Sequence, residues 1–213
     1  MKEVVHSRAQ GVTLIELLVV FAIIGVLAAI ILPVISSMEE RANITQCASN
    51  LRQIGIAMSS YVADHSQRLP VPCNTEGRSL WQNGKYGYVA GLGYLQYYGY
   101  FAGIPNVALL GSVRSPIFHC PTQTKGGYLT SQNWGDYWYN MATGDTSIPN
   151  PLGPSVASLS PGKSIAFDYF PINASSGTHA NLTSVNCLYL DGSVLNINQQ
   201  NFKTNSRITA LDR

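Results

Sequence analysis

Residues Gly11–Ser37 read GVTLIELLVVFAIIGVLAAIILPVISS, and one letter is out of place. From Leu14 to Ile35 almost every residue is apolar, yet Glu16 stands near the start of the run. A run of about 20 apolar residues matches the thickness of a bilayer rather than the needs of a buried core helix. A secretory signal has a shorter apolar core and a small-residue exit site. A plain membrane anchor accounts for the length, and for Lys2 and Arg8 as a flank that stays cytoplasmic. It does not account for Glu16. An ionised carboxylate at membrane depth costs about 2.5–3.5 kcal/mol on insertion scales, so such a residue is expected to have a partner and a task.

Beyond Pro33 the chain turns polar but keeps a helical period. Ile44, Ala48, Leu51, Ile54, Met58 and Tyr61 or Val62 recur at three- and four-residue steps, which puts them on one face. Glu39, Glu40, Arg41, Asn43, Asn50 and Gln53 fall largely elsewhere. The pattern predicts one helix over about residues 13–64, roughly 75 Å long at 1.5 Å per residue. Its first half lies in an apolar medium and its second half packs on a globular body. Gly25 and Ala29, four apart, share a face that permits close helix packing. Pro33 removes a backbone donor and is expected to kink or loosen the helix.

The rest of the 213-residue chain is long enough for one ordinary domain. Residues 65–163 are dense in Pro, Gly and Tyr, which predicts loops with short strands or turns. The aromatic residues are expected to fill a small core and cover the helix, with a sticky surface for a partner or glycan as the competing reading. Ser164–Phe170 has strand composition, and Cys187–Leu190, Asp191-Gly192 and Ser193–Ile197 predict a hairpin with a two-residue turn. The expected class is α+β: a long N-terminal helix on a small antiparallel sheet.

Several chemistries find no support. With net charge +2 and scattered Lys and Arg, there is no basic field for nucleic acid. Cys47, Cys73, Cys120 and Cys187 form no CxxC pair, which argues against zinc-ribbon or thioredoxin chemistry. In an exported body they could form one or two disulfides, by any of three pairings. Gly162-Lys163-Ser164 ends like a phosphate-binding loop, but Ala157 stands where its first glycine belongs. With neither a Gly-x-Ser-x-Gly elbow nor a His-Glu-x-x-His helix, no enzyme and no cofactor are indicated. Asp168, His179 and Asp191 are the candidate metal residues, although turn chemistry accounts for Asp191.

The stretch from Gly11 to Val20 resembles the processing and methylation site of type IV prepilins and type II secretion pseudopilins. That resemblance implies cleavage after Gly11 by a prepilin peptidase, removing a leader of residues 1–11, and methylation of the new N-terminus at Val12. Val12 departs from the family's usual phenylalanine at this place. Glu16 becomes the fifth mature residue, where the family keeps a glutamate. A helix over 12–64, membrane-spanning at about 14–35, and a pilin-like body over 65–213 follow. So do an inner-membrane location with the body in the periplasm, other pilin or pseudopilin subunits as partners, and a filament serving type II secretion. The alternative within the family is a minor pilin that binds polysaccharide or DNA. Cys47–Gly55, the VRSPIFHCPT segment and WGDYWYN are similar to a narrower pilin-like group with a His-x9-Asp-Gly segment. Here eleven residues separate His179 from Asp191. Major pseudopilins often hold calcium in C-terminal loops; Asp168, Asp191 and Asp212 could supply oxygens, without EF-hand spacing.

Overall fold

The computed structural model describes residues 13–71, 81–82, 88–89, 91–101, 115–121, 135–139, 153–168 and 184–198. Gly11, Val12, Cys73, His179 and Asp212 lie outside these residues. The chain divides into two units, Met1–Glu39 and Glu40–Arg213, and the boundary falls inside one helix.

That helix, α1, runs Leu14–Asp64 and remains helical on both sides of Pro33. In the first unit every described side chain from Leu14 to Ile35 is exposed. In the second unit α1 buries Cys47, Leu51, Ile54, Met58 and Tyr61, one residue per turn along a single face. Asn50 departs from the sequence expectation, which set it with the polar residues: it is buried. The reason is local satisfaction, because its Nδ2 donates to His119 O (2.9 Å) and Tyr137 Oη (3.1 Å), and its Oδ1 accepts from Gln46 Nε2 (3.0 Å).

The second unit is completed by short elements. Strands β1 (Trp81–Gln82) and β2 (Tyr88–Val89) pair antiparallel, and α2 (Gly93–Tyr97) follows. Strands β3 (Tyr137–Tyr139), β4 (Ser164–Asp168), β5 (Ser184–Tyr189) and β6 (Val194–Asn198) form an antiparallel sheet in the order β3-β4-β5-β6. The α+β class read from the sequence is the fold observed.

Side-chain alternation along β5 sorts the sheet into two faces. Asn186 Nδ2 donates to Ile44 O of α1 (3.1 Å), and Leu188 lies against the same helix. A Cβ added at Gly55 would stand 2.9 Å from Leu188 Cδ1, so glycine there permits close helix–sheet approach. Val185, Cys187 and Tyr189 point the other way, into a second cluster with Phe167.

The Asp191-Gly192 hairpin is present, but its turn differs from the two-residue expectation. Gly192 N–H donates to Tyr189 O (2.9 Å) and Tyr189 N–H donates to Ser193 O (2.9 Å), which encloses Leu190, Asp191 and Gly192. Gly192 has φ +82°, the left-handed residue that a three-residue hairpin requires. In the Tyr-rich stretch Tyr94, Tyr97 and Tyr100 are half-buried and Tyr98 is exposed, with the Tyr98 and Tyr100 rings edge-on to Tyr61 of α1. These aromatics cover the helix, whereas Tyr61, Tyr137, Tyr139 and Tyr189 from other segments fill the core.

Candidate assembly surface and the buried polar cluster

The first turn of α1 shows what its sequence builds at Glu16. Thr13 N–H donates to Glu16 Oε2 (2.8 Å), and Thr13 Oγ1–H donates to the same oxygen (3.0 Å). Glu16 N–H donates back to Thr13 Oγ1 (3.3 Å). This reciprocal arrangement is a capping box, with Thr13 before the first helical residue and Glu16 at the third. It satisfies two amides that the helix start leaves without intrahelical partners, which matters most in an apolar medium. It also puts a carboxylate at the positive end of the helix dipole. The Thr-x-x-Glu spacing at Thr13-Leu14-Ile15-Glu16 is the sequence signature of this box.

From this cap the helix is long and apolar enough to cross a membrane. Leu14 is 81% exposed, and exposure extends through Phe21, Ile23, Leu27, Ile31 and Ile35. A Cβ added at Gly25 would meet nothing within 4 Å. Gly25, Ala29 and Pro33 thus lie on an uncovered stretch of helix.

In the body, the structure chooses among the cysteine pairings. Cys47 of α1 is bonded to Cys120, with Cα atoms 5.4 Å apart and a sequence separation of 73. Cys187 is buried in the other cluster, on the opposite face of β5. Around the disulfide lies a buried polar group that periodicity did not reveal. Asp136 Oδ2 accepts from Cys120 N–H (3.0 Å) and faces His119 Nδ1 at 2.7 Å. Asp168 Oδ2 accepts from Asn186 N–H (3.0 Å). Burial, and then the charge of Asp168, hold the Tyr137 phenol well above its ordinary pKa, so it stays protonated.

The two described candidate metal residues, Asp168 and Asp191, stand apart. Asp168 ends β4, whereas Asp191 lies in the exposed hairpin turn after Tyr189, and Tyr189 pairs with Ser164 at the other end of β4. Four strand steps, about 13 Å, therefore separate the levels of the two aspartates. Asp191 Oδ1 is used within its turn, accepting from Ser193 N–H (2.9 Å) and Ser193 Oγ (2.6 Å).

Comparisons with known proteins converge on the N-terminal end. Residues 6–32 match the family described as the prokaryotic N-terminal methylation motif. Over 83 residues the chain is 35% identical to the type IV major pilin protein PilA of Myxococcus xanthus, covering 39% of this chain and 37% of that protein. Over 60 residues it is 36% identical to the type II secretion system core protein G of Pseudomonas aeruginosa, covering 28% of this chain and 42% of that protein. The chain thus spans about two fifths of the length of these curated relatives. No solved structure matches it. The chain carries a prokaryotic N-terminal methylation motif at residues 6–32, on an α+β protein similar in part to a type IV major pilin and a type II secretion core protein.

Proposed function

We propose that this protein is a prepilin-type subunit, cut after Gly11, methylated on Val12, and assembled through its apolar helix into a pseudopilus or pilus-like filament that serves type II secretion. The observation that carries this reading is the exposed apolar face from Leu14 to Ile35 with one carboxylate in its first turn. Such a surface needs a cover: lipid before assembly, and the helices of other copies afterwards. The methylation motif and the partial identity to PilA and core protein G support the same reading. The protein is then a single-pass inner-membrane protein with its body in the periplasm, and its partners are a prepilin peptidase and other pilin or pseudopilin subunits.

Glu16 has two tasks in this account. In the single chain the Thr13 contacts use Oε2 and keep the carboxylate satisfied at the helix start. Cleavage after Gly11 creates a cationic amine on Val12, one residue before Thr13. A carboxylate and an amine buried together cost far less than either alone, so helices stack in the register that pairs them. The subunit acts structurally, without catalysing a reaction. The test replaces Glu16→Val in cells that carry the secretion or pilus machinery. The variant inserts and is cleaved but is missing from sheared filaments; normal incorporation contradicts the pairing role.

A further inference from the structure

We propose that Arg52 of one copy docks on Asp64 and the tyrosines beside it in the next copy, a head-to-tail contact between bodies that rests on the filament assembly proposed for this chain. The acceptor lies at the C-terminal end of α1. Asp64 is exposed there, and its Oδ2 accepts from Tyr100 Oη–H at 2.9 Å. The Tyr100 ring packs edge-on against Tyr61 and His65, and so does the ring of Tyr98, which is 46% exposed. Tyr97 meets Tyr98 edge-on, with ring centroids 5.1 Å apart. Burial, and then the hydrogen bond to Asp64, push the Tyr100 phenol up to about 12, so it stays a donor and holds the carboxylate in place.

A carboxylate among tyrosine rings is complementary to a guanidinium, which pairs with the acid and stacks on aromatic faces. Among the described residues of the body, the exposed Lys and Arg side chains are Arg41 and Arg52. Arg41 follows Glu39 and Glu40 directly. The helical neighbours of Arg52, at three and four residues, are Ala48, Ser49, Gly55 and Ile56, so it meets no acid on its own helix face. Ile56, one turn further on, is 69% exposed, although it belongs to the half of α1 that packs on the body. A cation beside a bare aliphatic side chain is the composition of a contact surface, where Arg is enriched.

Geometry makes this a contact between copies. Asp64 stands twelve residues beyond Arg52, about 18 Å along the helix and about a third of a turn around it. No side chain bridges that distance, so donor and acceptor meet only across two chains. A contact that uses different surfaces on its two partners generates an open helical array unless its rotation closes, which is what a filament requires. One exposed ion pair is weak, but each copy inside the array donates once and accepts once, and the contacts sum along it.

The test uses the full chain in cells that carry the secretion or pilus machinery and reads its amount in sheared filaments. Arg52→Asp and Asp64→Arg should each cut incorporation roughly tenfold or more, because like charges then face each other across the contact. The double swap Arg52→Asp/Asp64→Arg should restore most of it. A second measurement keeps both residues, and so does not depend on how the swapped chains fold. Ser49→Cys in one tagged copy and Ser60→Cys in a differently tagged copy should be joined by a short bismaleimide, a product that neither variant gives with wild type. Wild-type chain missing from the sheared fraction overturns the filament reading, and this contact with it. Wild-type filaments that both reversals leave intact overturn the contact alone. So does a folded double swap no better than either single variant, a missing cross-tag product, or capture of another protein by the Ser60→Cys copy in its place.

Discussion

The two units of this chain handle carboxylates in opposite ways. Among the described residues before Glu39 the apolar side chains are exposed, and the single acid among them, Glu16, is held by its own helix start. After Glu40 a core of apolar side chains is buried, and the acids Asp136 and Asp168 lie among them, fixed by backbone amides of Cys120 and Asn186. The first unit is satisfied locally, within one helical turn, and has a surface that a different medium or another molecule must cover. The second is satisfied by contacts far apart in sequence, and its stability is intrinsic. Damage to tertiary contacts should therefore unfold the body while leaving helix in the apolar segment.

The largest expected effect is loss of the disulfide. Closing a loop of 73 residues restricts the unfolded chain by about 4 kcal/mol of loop-closure entropy. Cys47→Ser/Cys120→Ser should lower the body's stability by about that amount, read from near-ultraviolet circular dichroism in denaturant. Far-ultraviolet signal from the apolar segment should persist in micelles. Simultaneous loss of both signals would break the comparison.

Asn50→Leu comes next. It removes the donor to His119 O and Tyr137 Oη, and leaving buried polar groups unmet costs about 1–3 kcal/mol. Denaturant midpoints check it, and no loss of stability would mean that the bridge does not hold α1 to the loop before Cys120.

The finest probe uses two glycines of the same helix. Gly55→Ala drives a methyl toward Leu188 and should destabilise the body by about 1 kcal/mol, after overpacking is offset by better helix propensity. Gly25→Ala meets nothing in the single chain, so monomer stability should hold or rise slightly. A defect at Gly25 that appears only in filaments would locate a helix contact between copies.

What was legible in the sequence follows the same division. The apolar segment was readable because bilayer thickness sets its length and a lone Glu16 stands out against it. The hairpin was readable because Asp191-Gly192 carries its own turn chemistry, although the third loop residue depended on pairing between Tyr189 and Ser193. The Cys47–Cys120 pairing was not readable, since it depends on how residues 73 positions apart meet. Asn50 departs from its periodicity for a related reason. Periodicity marks a polar residue as outward, and only the positions of His119 and Tyr137 make an inward one acceptable. The burial of Asp136 and Asp168 was not legible, because the Cys120 and Asn186 amides that donate to them leave no letter in the sequence.

The central claim is that the exposed apolar helix begins at a processed, methylated N-terminus from which Glu16 guides assembly. The most direct measurement is the mass of the N-terminal peptide of the protein isolated from native membranes. The account predicts a peptide beginning at Val12 and carrying one added methyl group. An uncut chain, or a cut near Ala28, would contradict it and leave the apolar segment as a plain anchor or an ordinary signal.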